Sequence, residues 1–593
     1  MADAFSAPAP ATRSGPDDAV PVHLYGHHAV VGAPGSCPRC LERRWQAVRS
    51  VALRDALELG GGTRAAGAWP YALPFAAELL AALVTAAAAS PPPAGPFPEV
   101  RLLDLRTGTV RRCPLVPDPE CPACATPEAD APAVPDLAAA PKYRPGVFRT
   151  RPLDSYGIEV AAFANPLCGA LGPSLVQDIS STTTSATIGC FSLRSGAYLR
   201  ETFWGGHTDS FDRSARVGVL EGLERYAGMR ARARTTGVSG SLEALGPDAV
   251  DPREVGLYSE RFHRDNPRVR PFDPDREIPW VWGWSLRDRA PRLVPEVLTY
   301  YHAPGLENRF VQESSNGCAS GGSLAEAVYF GLMEVVERDA FLLAWYGRQP
   351  LPEIDPATST RPATRAMVDR LAMYGYRARF FDTRITFPIP VVTAVAERFD
   401  GGTGRMCFGA GAGLDPESAL DSALCEIATD AVNLPGRTRR DETRLRAMAA
   451  DFDLVTALHD HPLVYGVPEM GRHADFLLRA PQRAPRTVAG LAWPDAAGAV
   501  VADDVRDDLD RCVAAVTAEG FDVVVVDQTL PEQRALGLHT VSVLVPGLLP
   551  IDFGWSRQRA LGMPRLRTAL RAAGLREHDL EPGEFNPAPH PFP

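Results

Sequence analysis

Two glutamate clusters, Glu221-Gly-Leu-Glu224-Arg225 and Glu334-Val-Val-Glu337-Arg338-Asp339, bear the residue types and spacing that could do chemistry. On a helix, residues three apart share a face, so each cluster aims two carboxylates one way with an arginine beside them. Four such carboxylates suit hard divalent cations and a polyphosphate, because magnesium takes oxygen ligands from a few carboxylates and from substrate phosphates. No GxxxxGK[ST] sequence occurs, so nucleotide chemistry here would proceed without a phosphate-binding loop. Glu-x-x-Glu-Arg also fits a solvated, salt-bridged helix face. The flanks weigh against that reading. Ala325 to Met333 and Ala340 to Trp345 bracket the second cluster with apolar residues, and Val217–Leu220 and Tyr226–Gly228 bracket the first. Charges in such helices are usually paired or bound to ions.

Cys37-Pro-Arg-Cys40 and Cys121-Pro-Ala-Cys124 are two CPxC knuckles, which together supply a tetrahedral thiolate set for a closed, structural zinc site. The alternatives are two unrelated exposed pairs or a redox dithiol, and the latter accounts for only one pair. Cys113 is spare, His27 and His28 are weaker candidates, and the remaining cysteines, Cys318 included, read as small buried residues.

The elements that must position these groups belong to a mixed α/β chain. Its 593 residues suffice for two or three domains, and a net charge of -11 gives no support to nucleic-acid binding. Residues 1–22 read as a disordered leader without a secretory pattern. Residues 23–126 form a small zinc-binding domain. It begins with a strand Val22–Tyr25 and a helix Leu41–Leu57, continues with an apolar helix Phe75–Ala89, and ends in a hairpin, Glu99–Leu105 with Thr109–Leu115. Pro70, Pro74 and Glu78 argue against a membrane span there. A Pro/Ala/Asp-rich linker covers 127–141, and residues 142–593 form the main α/β body. Clear strands there are Pro388–Ala396, Asp522–Asp527 and Thr540–Pro546, with a helix Ser418–Val432. The expected compartment is the cytoplasm, where the 11 cysteines serve as thiols or metal ligands.

Over roughly residues 142–593 the chain resembles the YcaO family, above all its azoline-forming cyclodehydratases. The likeness rests on Ser314-Ser-Asn-Gly-Cys-Ala-Ser-Gly-Gly-Ser-Leu-Ala-Glu-Ala327 running into the second cluster. Phe203-Trp-Gly-Gly-His-Thr208 before the first cluster looks like the thiopeptide-type members. Val545-Pro-Gly-Leu-Leu-Pro550 and the ending Asn586-Pro-Ala-Pro-His-Pro-Phe-Pro593 fit as well. The CPxC frame looks like the ubiquitin-activating-enzyme-like partner domain often fused to these enzymes.

The resemblance implies ATP-dependent closure of Cys, Ser or Thr residues of a ribosomal precursor peptide into thiazolines or oxazolines, with phosphorylation of the backbone amide oxygen. It assigns Glu221, Glu224, Glu334 and Glu337 to magnesium and phosphates, with Arg225 and Arg338 neutralising charge, and adds Glu426 to the nucleotide site. It makes the Pro593 carboxylate a candidate general base. It also implies a homodimer and a separate leader-peptide-binding partner, because the N-terminal region is short for a leader-binding fold plus the zinc frame. Three positions depart from many relatives. His207 stands for a lysine, with a phosphate or substrate role and a structural loop role both open; Val217 stands for a serine and Thr429 for a glutamine. These departures favour an alternative, a degenerate scaffold that presents the precursor to another enzyme. A thioamide- or amidine-forming relative is a third reading.

Overall fold

A computed structural model describes residues 20–59, 71, 73–91, 95–195, 198–235, 237–312, 314–481, 484–494, 498 and 500–592. Most of the expected leader and Pro593 lie outside the described residues. The N-terminal sheet runs in the order β1 (Val22–Tyr25), β2 (His28–Val31), β3 (Glu99–Asp104), β4 (Thr109–Pro114), all antiparallel. Gly108, at a φ of +65°, makes the turn of the last hairpin. Three helices accompany the sheet: α1 (Pro38–Ala47), α2 (Val51–Glu58) and α3 (Pro74–Ala88).

The single helix expected over Leu41–Leu57 is two helices. Ser50 is extended (φ -57°, ψ 150°), and Arg54 donates to the Ala47 carbonyl, satisfying the freed end of α1. The stretch 127–141 is not a free tether. Glu128–Ala129 pairs in parallel with Arg234–Thr235, Asp130 accepts from the Trp282 N–H, and Ala140 donates to Asp504.

Besides that two-stranded pair, the described residues of the main body hold three larger sheets. In the first, Leu175–Gln177 and Thr187–Ser195 are followed by β5 (Tyr198–Gly206), which leads into helix α4 (Phe211–Gly228). A six-stranded antiparallel sheet has at one edge β6 (Cys318–Gly321), which leads into the 23-residue α5 (Leu324–Tyr346). A five-stranded sheet has at one edge β7 (Met406–Ala412), which leads into α6 (Pro416–Ala431). Side-chain oxygens of Ser210, Ser323 and Asp415 cap the three helices and set where each begins.

The expected strand over Pro388–Ala396 is displaced to Val391–Arg398, because Pro388 and Pro390 have no N–H to donate to a ladder. The others begin or end within two residues of expectation, at Val524–Asp527 and His539–Leu544. No helix among the described residues is long and apolar enough to cross a membrane.

Candidate nucleotide and metal site

One local device recurs three times. In each case a strand runs into a helix, and a backbone N–H of the strand region donates to a glutamate 16 or 17 residues later. Gly205 donates to Glu221 at 2.8 Å, Gly317 to Glu334 at 2.8 Å, and Ala410 to Glu426 at 2.9 Å. Glycine is needed where the helix comes this close. Gly317 has a φ of +79°, and a Cβ on Gly409 would sit 2.7 Å from the Glu426 Cβ. In the first two units the glutamate is also held by the arginine one helical turn on, at 2.6 Å for Arg225 and 2.5 Å for Arg338. The third unit has Thr429 and Asp430 where the others have glutamate and arginine.

On α5 the polar residues of the second cluster are the main ones left open to the cleft. Every residue of α5 is buried except Phe330, Glu334, Glu337 and Arg338, which are half-buried. Glu224 is half-buried too, and accepts from the Ser320 N–H of β6 at 2.9 Å, which links α4 to the second unit. Among the described residues no arginine or lysine is in ion-pair contact with Glu224, Glu337 or Glu426. Their acidities record this. Burial, then the charges of Glu334 and Glu221, push the Glu224 carboxyl up to about 8. Burial, then Glu426, raises Glu337 well above the carboxylate range. Burial pushes Glu426 up to about 7 although its side chain is open to solvent, as in a deep but wet cleft. Neighbouring carboxylates that raise one another's pKa values are the oxygen donors that magnesium takes.

The sequence did not point to several partners of these groups. Arg338 donates to the Asn316 side chain at 3.2 Å, and Tyr301 donates to the Arg225 carbonyl at 2.6 Å. Asp339 is buried and gripped by Arg565 at 2.6 and 2.5 Å, which anchors α5 behind the site. Of these, only Asn316, in its Ser-Asn-Gly setting, carried a signal. The C-terminal segment threads through the core. Trp345 donates to the Ala588 carbonyl, Tyr465 to that of Pro589, and His461 to that of His590. Phe592 ends up against Phe341 and 5.9 Å from the Arg338 guanidinium. His207 is exposed, and its carbonyl is 3.8 Å from the thiol of Cys425, the neighbour of Glu426. Val217 lies half-buried one turn before Glu221, and Thr429 donates to the Cys425 carbonyl.

The two CPxC knuckles meet. The sulfurs of Cys37, Cys40, Cys121 and Cys124 all lie within 4.8 Å of one another, with Cys37–Cys121 at 3.7 Å and Cys40–Cys124 at 3.2 Å. A tetrahedral zinc with bonds of about 2.3 Å needs sulfurs about 3.8 Å apart, so this donor set fits zinc. A second cluster, His27, His28 and Asp104, is as tight, but Arg106 already holds both Asp104 oxygens at 3.3 and 3.1 Å.

A family model described as YcaO cyclodehydratase, ATP- and Mg2+-binding, matches residues 205–549. An uncharacterized protein of Methanothermobacter thermautotrophicus is 25% identical over 335 residues, 56% of this chain and 77% of that protein. A solved heterocyclase in complex with substrate and cofactor matches with a TM-score of 0.74 at 25% identity, over 97% of this chain and 77% of its own. The heterocyclase TruD shares the fold, with a TM-score of 0.64 at 24% identity over 97% and 75%. The chain belongs to the YcaO family of ATP- and Mg2+-binding cyclodehydratases.

Proposed function

We propose that this YcaO chain closes Cys residues, and Ser or Thr residues, of a ribosomal precursor peptide into thiazolines and oxazolines in thiopeptide-like biosynthesis. The observation that carries this reading is the convergence of Glu224, Glu337 and Glu426, three carboxylates with no cation in contact, on one cleft. ATP supplies the phosphoryl group that makes the amide oxygen a leaving group, and magnesium neutralises phosphate charge. The substrate thiol or hydroxyl adds to the preceding carbonyl carbon. The oxyanion so formed would take the γ-phosphoryl group from ATP, releasing ADP, and loss of phosphate with the amide proton would leave the C=N bond of the ring.

Glu221, Glu224, Glu334 and Glu337 would hold magnesium and the phosphates in this scheme, with Glu426 at the nucleotide. Arg225 and Arg338, already fixed by Glu221 and Glu334, orient the carboxylates and face phosphate charge. The tail brings Phe592 beside Arg338, at the edge of the cleft. His207 is assigned to phosphate or substrate contact at the Cys425–Glu426 edge. Catalysis of this kind needs positioning and charge stabilisation rather than a covalent nucleophile. The four thiolates hold a structural zinc. A separate leader-binding protein docks on the N-terminal region, and the enzyme works as a homodimer.

The test is mass spectrometry of a candidate precursor incubated with this protein, its partner, magnesium and ATP. Loss of one water per modified residue, dependent on ATP and absent with Glu334→Gln, supports the proposal. A bound precursor that loses no water favours the scaffold reading to which His207, Val217 and Thr429 point.

A further inference from the structure

The N-terminal region packs Phe97 and Val116 into the apolar cluster behind α4, and Arg44 adds a hydrogen bond to that helix. Arg44 lies one helical turn after the thiol ligand candidate Cys40 on α1, and only 2% of it is exposed. Its guanidinium donates to the Val116 carbonyl at 2.9 Å, the Pro117 carbonyl at 2.6 Å and the Tyr226 hydroxyl at 2.9 Å. The next residue in that segment, Asp118, donates its N–H to the Cys40 sulfur at 3.3 Å and accepts from Arg43 at 2.7 Å. One rigid unit therefore joins the thiol frame, the 116–118 segment and Arg44.

On the other side, Tyr226 directly follows Arg225 on α4 and is itself fixed. Its ring packs edge-on to Phe191 at 5.4 Å, and the Arg232 guanidinium stacks 3.4 Å from its centroid. Arg225, about 100° round the helix from Tyr226, holds Glu221. A shift of Tyr226 thus moves the backbone that carries both Glu221 and Glu224. Other polar seam contacts, Arg230 with Glu120 at 2.5 Å and Arg54 with the Ser192 carbonyl at 2.7 Å, close the interface away from Tyr226.

We propose that Arg44 is a positioning residue for the nucleotide site: through Tyr226 it makes the thiol-bound N-terminal unit a structural part of the helix that carries Glu221 and Glu224. The inference rests on reading that helix as part of the magnesium-nucleotide site. Cutting one intramolecular hydrogen bond shifts an equilibrium by about threefold to tenfold, and here the shift is expected in nucleotide affinity.

The test measures KM for MgATP, kcat, binding of a non-hydrolysable MgATP analogue and the zinc-to-protein ratio in the full chain. Tyr226→Phe should raise KM about threefold and Arg44→Met about tenfold, with kcat within about twofold and zinc content unchanged. Arg44→Lys, which reaches one acceptor at a time, should fall between wild type and Arg44→Met. Phe191→Leu loosens packing around Tyr226 without cutting the polar link, so it should lower the melting temperature and leave KM in place. If Arg44→Met does not fold, Tyr226→Phe decides alone. Unchanged KM and analogue affinity in folded, zinc-replete Tyr226→Phe overturns the inference. A wild-type chain that binds no MgATP analogue overturns the nucleotide reading beneath it instead.

Discussion

Helices α4 and α5 carry the same Glu-x-x-Glu-Arg pattern, and each first glutamate takes the same two contacts, a strand N–H and the arginine one turn on. They differ in what stands behind them. Helix α5 is buried along almost its whole length between two apolar clusters, and Arg565 grips it through Asp339. Helix α4 buries a narrower stripe that includes Val219, Leu223 and Tyr226, and Arg44 of the N-terminal region completes its back face. A site assembled this way has one half whose geometry follows from the hydrophobic effect and one half whose geometry depends on a neighbouring unit. The third unit, around Glu426, shows the device without the arginine and without a second glutamate, so the strand-to-glutamate contact is the constant part.

The largest expected effect tests whether the two helices are equal in chemistry despite unequal support. Glu337→Gln and Glu224→Gln should each lower kcat about a thousandfold or more, because each removes a charge for which no arginine in contact can substitute. Single-turnover rates measure this. A loss confined to the Glu337 variant would make α4 a binding helix only.

A second prediction concerns the packing itself. Leu332→Ala on α5 and Leu223→Ala on α4 delete side chains that are 0% and 1% exposed. Each should destabilise the chain by about 2–5 kcal/mol in denaturant unfolding. Only the Leu223 variant should also weaken MgATP binding, because α5 has further anchors to keep its carboxylates in place. Equal losses of affinity would erase the distinction between the two helices.

The parts legible in the sequence were those fixed by short-range geometry. A spacing of three puts Glu221 with Glu224 and Glu334 with Glu337 on a face, whatever the fold around them. Two CPxC knuckles need only proximity to make a tetrahedral set, and Thr107-Gly108 marks its hairpin by backbone freedom alone. What stayed hidden depends on long-range contact or on backbone atoms. Arg44 sits in a short amphipathic helix among Arg39, Glu42 and Arg43, where an arginine ordinarily faces water, and nothing local distinguishes it. The break between α1 and α2 is fixed by Arg54 reaching back to Ala47, an interaction that residue types do not encode. Glu426 entered through family likeness alone, since its N–H partner on Ala410 is a main-chain group and its helix lacks the Glu-x-x-Glu signature.

The smallest effect expected is also the one that separates the three unpaired carboxylates. In the unfolded chain a glutamate titrates near 4.5, whereas in the folded, metal-free protein Glu426 and Glu224 titrate at about 7 and about 8, and burial beside Glu426 also raises Glu337 well above the carboxylate range. Between those values the folded state keeps protons that the unfolded chain has released. The favourable contribution is therefore complete below about pH 4.5 and is withdrawn as pH rises through each folded value. Metal-free protein should lose several degrees of melting temperature between pH 5 and 9. Magnesium with nucleotide should flatten that decline, since the ionised carboxylates then have a cation. Glu224→Gln should remove the part of the decline that ends near pH 8, and Glu337→Gln should likewise make the decline shallower. Glu221→Gln should narrow the window from the top, because Glu224 then loses a repelling neighbour while Arg225 is released to approach it. A melting profile independent of pH in metal-free protein would mean that another cation of the chain already serves these groups. The contrast between α4 and α5 would then rest on packing alone.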